Sequence, residues 1–215
     1  MTEIRRCTVC RDAPLGRALP HEPRPVLQIS SSARILVSGQ APGTRVHASG
    51  KPFTDPSGDR LRDWMGIRPE IFYDARRIAI VPMGFCFPGL DAKGGDLPPR
   101  RECAPLWRQR VLDALPAIEL HLLVGQYAQR WHLADEKSAS MTEIVAASLR
   151  RLEAGRQNVA AGAPGKSATV IALPHPSWRN NAWLKKNDWF VERLVPLLRV
   201  EVDRLTRADR GVTAD

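Results

Sequence analysis

The sequence predicts an α/β sandwich, three layers deep, with a central four-stranded parallel sheet. Three observations carry this. The runs 34–38, 77–81, 120–124 and 169–173 are nearly continuous in apolar residues, as strands are when helices cover both faces of a parallel sheet. Amphipathic segments separate the runs, and strand–helix alternation implies parallel pairing through crossovers. Each run stops at a residue that turns the chain: Gly39, Pro82, Gly125 or Pro174.

The elements follow in order. Residues 1–30 hold Cys7-Thr8-Val9-Cys10 and then Pro14, Pro20, Pro23 and Pro25. Proline disrupts both helix and ladder, so this stretch reads as an irregular surface arm rather than a helix. After the first strand, a helix opens at Ser57, whose hydroxyl is a suitable N-cap. Residues 101–115 place Cys103, Leu106, Trp107, Arg110, Val111 and Leu115 at helical spacing, and 141–153 and 187–202 are also amphipathic. Residues 153–167 read as a flexible loop. The whole reads as a single domain over 1–203, including the arm, with a charged, frayed tail at 204–215.

Composition narrows the function. The chain has 215 residues, 43% hydrophobic and 26% charged, which excludes disordered and collagen-like classes. The longest mostly apolar stretch, 78–90, is shorter than the ~18 residues of a membrane span. The first residues lack the apolar core of a secretory signal, so a cytoplasmic protein is expected. The charge of +9 favours an anionic partner such as nucleic acid, anionic lipid or a phosphorylated substrate. Four cysteines in a reducing compartment point to metal binding, redox chemistry or burial rather than to disulfides.

In open α/β sheets ligands bind outside the carboxyl ends of the strands. Four segments meet there: Gly39-Gln40-Ala41-Pro42-Gly43, Pro82-Met83-Gly84-Phe85-Cys86, Gly125-Gln126-Tyr127, and Pro174-His175-Pro176-Ser177-Trp178-Arg179-Asn180-Asn181. The first has glycines that let backbone N–H groups face an anion. In the last, two prolines hold His175 rigidly at a strand end, which suits a catalytic imidazole. The segment Gly162-Ala163-Pro164-Gly165-Lys166-Ser167 mimics the end of a phosphate loop. It lacks the glycine five residues before Gly165 and precedes a strand instead of following one, so it is set aside.

These residues resemble the uracil-DNA glycosylase superfamily, and most of all its iron–sulfur type, family 4. Gly39 to Gly43 is similar to that family's Gly-Glu-Ala-Pro-Gly motif, Gly50-Lys51-Pro52-Phe53 to its Gly-x-Pro-Phe, and His175-Pro176-Ser177 to its His-Pro-Ser. Cys7, Cys10, Cys86 and Cys103 follow in the family's order. The resemblance implies a repair enzyme that flips uracil out of DNA and hydrolyses its N-glycosidic bond, leaving an abasic site. His175 would stabilise the departing base. Gly39, Ala41, Pro42, Gly43, Met83 and Gly84 would line the base pocket, and Phe53 would stack on the base. Ser177, Trp178, Arg179 and Asn180 would contact DNA, with Trp178 or Arg179 plugging the gap and Lys185 and Lys186 as phosphate contacts. The competing reading of Trp178 is an aromatic cluster with Trp183 and Trp189. The cysteines would bind a [4Fe–4S] cluster, with zinc as the alternative. The expected partner is DNA carrying uracil or another damaged base, with no membrane and no obligate protein partner.

Two departures matter. Position 40 is Gln where the family commonly has an acid, and a carboxamide cannot take a proton, so Gln40 would at most orient the water. His47 and Asp55 are then the candidate bases. Pro82 stands where the family places the Asn that reads the pyrimidine edge, leaving the backbone of Met83 to Phe85 as its substitute. Two other readings follow: a DNA-lesion-binding protein with weakened catalysis, or a glycosylase for hypoxanthine or xanthine.

Overall fold

The computed structural model describes residues 2–134, 139–154 and 168–207. In chain order the elements are α1 (Thr2–Arg5), α2 (Val9–Asp12), β1 (Ile35–Ser38), α3 (Thr44–Ser49), α4 (Pro56–Met65), α5 (Pro69–Phe72) and β2 (Ile78–Ile80). Then come α6 (Cys103–Asp113), β3 (Leu120–Val124), α7 (Gln126–His132), α8 (Met141–Glu153) and β4 (Thr169–Leu173). The chain closes with α9 (Asn181–Lys186) and α10 (Val195–Thr206).

The four strands form one parallel sheet in the order β2-β1-β3-β4. Side chains alternate across it, because successive residues of a strand point to opposite faces. Ile35, Val37, Ile78, Ile80, Leu120, Leu122, Ile171 and Leu173 pack with Leu61 and Trp64 of α4, Val145 and Leu149 of α8, and Leu198 and Val202 of α10. Leu36, Ala79 and Val81 face the other way, onto Trp107 and Val111 of α6. Leu123 and Val170 join Ala128 of α7 on that side. Helices on both faces explain why the strands lack the polar alternation of a half-exposed sheet.

The chain runs outward from β1 to β2 and then crosses back to start β3 on the other side of β1. The strand order therefore reverses between β1 and β3. A crevice opens at such a point, outside the carboxyl ends of the strands. The loops after Ser38 and Val124 flank it.

Local chemistry corrects several expectations. The arm is not wholly irregular, since α1 and α2 each form one helical turn before the prolines begin. Ile4 anchors α1 by burying against the α6 side of the sheet. Beyond the turns, Gln28 pairs with Ile80 through both backbone bonds, at 2.9 and 2.7 Å, and so covers part of the exposed edge of β2. Helix α4 is capped by Asp55, which accepts from the Gly58 N–H at 3.2 Å, and Ser57 lies inside the first turn. Pro56 fits at the first helical position, where no N–H is needed.

The expected helix over 187–202 is instead a widened π turn at Phe190–Leu194 that runs into α10. Pro196 has no N–H to close an α-type bond and its ring crowds the preceding turn, which the wider turn relieves. Residues 204–206 do not fray. Leu205 is buried in the core and the Thr206 hydroxyl donates to the Val202 carbonyl at 2.8 Å. The rest of the expected tail, residues 208–215, and most of the 153–167 loop, including Gly162 to Ser167, lie outside the described residues. Among the described residues no helix is long and apolar enough to cross a membrane.

Candidate active site

Four strand ends build the site. The Met83 N–H donates to the Gly39 carbonyl at 2.9 Å and the Gly84 N–H to the Gln40 carbonyl at 3.0 Å. These bonds lock the loop after β2 onto the loop after β1. They also settle what the second loop can offer. The Phe85 N–H is directed at the Cys103 sulfur, 3.4 Å away. So the N–H groups of Met83, Gly84 and Phe85 are all engaged, and the expected backbone substitute for a missing Asn has no free donor there. Pro82 itself has none.

Phe53 sits in an unusual backbone. Its φ is 54°, the left-handed region, and it is the one non-glycine residue with positive φ among those described. Bulky side chains rarely adopt that region, and such strain persists only where neighbours over-determine it. Here they do. The Phe53 carbonyl accepts from the Tyr73 hydroxyl at 2.9 Å and from Arg62 at 3.1 Å. Gly58 lets α4 pass directly under it, since a β-carbon on Gly58 would lie 1.9 Å from the Phe53 oxygen. The ring reaches to within 3.2 Å of where a side chain on Gly39 would begin, and it packs edge-on to Phe72 at 6.1 Å. Phe53 therefore faces the first motif loop. Changing Gly58 to Ala is expected to destabilise the protein by about 2–3 kcal/mol through this clash. Urea unfolding checks it, and an unchanged midpoint would show that the approach is not tight.

His175 follows β4. Gly125, at φ 83°, gives it room: a β-carbon there would lie 3.2 Å from that of His175. The His175 carbonyl accepts from the Asn180 side-chain amide at 2.7 Å, so Asn180 shapes this loop. Arg60 anchors the same loop through the Ser177 carbonyl and the Asn181 side chain, at 3.3 and 2.8 Å. Burial lowers the His175 pKa below its ordinary value. The Asp55 charge raises it and the Arg179 charge lowers it further. The ring is neutral at pH 7.

Trp178 is 72% exposed, whereas Trp183, Trp189 and Phe190 form the aromatic cluster without it. The Arg179 guanidinium lies 5.6 Å from the Trp178 ring centre. Lys185 and Lys186 are exposed on α9. Of the two candidate bases, His47 packs at a tilt against His21 and Phe87, with ring centres 4.3 and 5.6 Å away. Its ring is lowered in pKa, first by burial and then by His21 and Arg24. Asp55 caps α4.

These motifs all stand at the carboxyl ends of the strands, Phe53 over Gly39 after β1 and His175 after β4 against Gly125. A family model for the uracil DNA glycosylase superfamily matches residues 27–199. The chain belongs to that superfamily. The match spans Gly39 to Gly43, Phe53 and His175, together with Cys86 and Cys103. It starts after Cys7 and Cys10.

In this glycosylase-family chain the four cysteines share one corner. Cys10 and Cys86 pack with Leu19. Cys103 and Cys7 lie beside Trp107, whose indole N–H points at the Cys7 sulfur, 3.3 Å away. Burial pushes the thiols of Cys10, Cys86 and Cys103 up, to about 11, 12 and 12, with Cys7 adding to all three shifts and Cys10 and Cys86 adding to that of Cys103. Four adjacent soft donors with N–H groups aimed at two of them suit an iron–sulfur cluster chemically. Yet among the described residues no three or more His, Cys, Asp or Glu side chains form a group that could hold a metal ion.

Two features of the site had no sequence signal. Asp96 abuts Gly43 from a hairpin after β2. Behind the sheet ends, Arg108 of α6 is wholly buried with no ion pair among the described residues. It donates to the Val81 carbonyl at 2.8 Å, to His132 at 3.0 Å and to the Ser38 hydroxyl. Ser38 also pairs with His121 at 2.7 Å. This network ties the ends of β1 and β2 to α6, just beneath the two motif loops.

Proposed function

We propose that this protein is a monofunctional DNA glycosylase that extrudes uracil from DNA and hydrolyses its N-glycosidic bond. The observation that carries it is the placement of Phe53 over Gly39, in the first motif loop, and of His175 against Gly125 within reach of the Asp55 charge, at the carboxyl ends of the strands. A base in duplex DNA must leave the stack before its sugar bond can be reached. Phe53, fixed by its carbonyl bonds, offers a face for that base. As the bond to C1′ breaks, its electron pair moves onto the base, and a hydrogen bond from His175 stabilises the anion. The N–H groups of Gln40, Ala41 and Gly43 add donors to the same region. Water attacks C1′, and the products are an abasic sugar and the free base.

Trp178 is proposed as the wedge that fills the vacated stack, since it projects alone from the loop beside His175. Arg179, Lys185, Lys186 and the +9 charge would hold the phosphates, as salt-sensitive binding would show.

A second reading has specific support. Gln40, Pro82 and the engaged N–H groups of Met83 to Phe85 leave the usual means of reading uracil absent. The substrate would then be another deaminated base such as hypoxanthine or xanthine. The deciding experiment is a base-release assay on one set of single-stranded and duplex oligonucleotides carrying uracil, hypoxanthine or xanthine. Uracil release supports the main reading, and release of a purine alone supports the second. Lesion binding without any release would leave a non-catalytic DNA-binding protein of the same fold.

Cys7, Cys10, Cys86 and Cys103 are proposed to hold a [4Fe–4S] cluster, whose role would be to pin the arm to α6 and the loop after β2. Protein purified without oxygen is then expected to contain about four iron and four sulfide per chain. One zinc per chain and no iron would replace this with a zinc site.

A further inference from the structure

The reaction needs a group to hold and deprotonate the water, and Gln40 cannot take a proton. His47 is packed into an aromatic group, and Asp55 is engaged at a helix cap. The hairpin between α5 and α6 presents another carboxylate. Leu90 bridges to Asp96, the Asp91 N–H donates to the Gly95 carbonyl at 2.7 Å, and Leu97 to Gly89 at 3.0 Å. The Asp91 side chain accepts from the Lys93 and Gly95 N–H groups, both at 2.8 Å, so the turn is held at its tip.

At the end of this hairpin an Asp96 oxygen lies 3.1 Å from where a β-carbon on Gly43 would sit. Gly43 closes the first motif loop, so the carboxylate touches the loop that carries Gln40. Arg179, from the loop that carries His175, lies on the other side. Its guanidinium is 3.4 Å from the equivalent point on Gly95. Asp96 has no hydrogen bond or ion pair among the described residues. Although the residue is exposed overall, protein crowds its carboxyl end. That desolvation raises its pKa, Arg179 opposes it and Asp55 adds to it.

Given the glycosylase reading, we propose that Asp96 is the general base, supplying from a separate hairpin the carboxylate that position 40 lacks. Asp96 accepts a proton from the attacking water as its oxygen bonds to C1′. The N-glycosidic pair leaves with the base, and the base anion takes a proton from solvent. The groups facing Asp96 are Arg179 and Asp55, with Gly43 in contact. Arg179 opposes the rise and so favours the ionised carboxylate, which a base requires.

The test compares wild type with Asp96→Ala in single-turnover base release. Affinity is measured separately on a duplex carrying a non-cleavable 2′-fluorinated analogue of the released nucleotide. The variant is expected to cleave about 10²-fold more slowly with affinity unchanged within about twofold, and added formate is expected to restore part of the rate. A wild-type rate in the variant overturns the role of Asp96 alone. So does a rate and affinity loss in step, or a slow variant that formate does not rescue. A wild-type protein that releases no base from any lesion overturns the glycosylase reading, and the base role with it.

Discussion

Replacing His175 with alanine is expected to slow base release about 10²–10³-fold, the usual effect of removing one donor aimed at a developing anion. The expectation rests on position and charge state together. The ring lies where β4 ends, against Gly125, and its loop is tied down by Asn180 and Arg60. Burial keeps it neutral, so at pH 7 it enters the reaction as a donor of a hydrogen bond and not as a fixed cation. The substitution leaves the core untouched, so the circular dichroism and melting temperature should remain close to wild type. Rate loss with unchanged lesion affinity is the expected pattern. A variant that cleaves within about threefold of wild type would remove His175 from the chemistry.

Acid is expected to unfold this protein well before ordinary carboxylates are neutralised. His121 and His132 stand 4.7 Å apart, edge to face, behind the sheet ends and beside the buried Arg108. Burial, with the neighbouring positive charge, lowers the His132 pKa to about 3 and His121 well below its ordinary value. Below about pH 6.5 the unfolded chain takes up a proton at each ring and the native protein does not. Stability is therefore complete above that pH and falls as pH drops, by about 1.4 kcal/mol per unit for each histidine. His132 by itself removes about 2.7 kcal/mol over two units, a large share of the stability of many domains, and His121 acts in the same direction. Urea unfolding between pH 7.5 and 4.5 measures it. His132→Gln, which keeps an acceptor for Arg108, should make the slope shallower. Stability that stays level from pH 7 to pH 5 would show that these rings are protonated inside the fold.

Much of the architecture was written in local pattern. The runs at 34–38 and 120–124 could be read as buried strands because helices cover both faces, which removes polar alternation. The first motif loop and His175 could be read because glycine and proline fix backbone geometry within a few residues. Helix ends were harder. Asp55 and Ser57 are both good caps, and only the position of Pro56 and the packing of Gly58 against Phe53 chose between them. The widened turn before Pro196 depends on how α10 must seat against the sheet, which no short window contains.

The sequence by itself determined the sheet, the strand-end loops that make the site and the positions of four cysteines in the chain. Those follow from periodicity and from turn residues, which act over a few residues. Tertiary structure decided the rest. It strained Phe53 and held it with Tyr73 and Arg62, engaged the N–H groups of the second loop, left Trp178 outside the aromatic cluster and brought Asp96 to Gly43. Several of these join residues far apart in the chain, as Gly39 with Met83 and Gly43 with Asp96, and such contacts arise only when packing of the two sheet faces fixes where every loop ends.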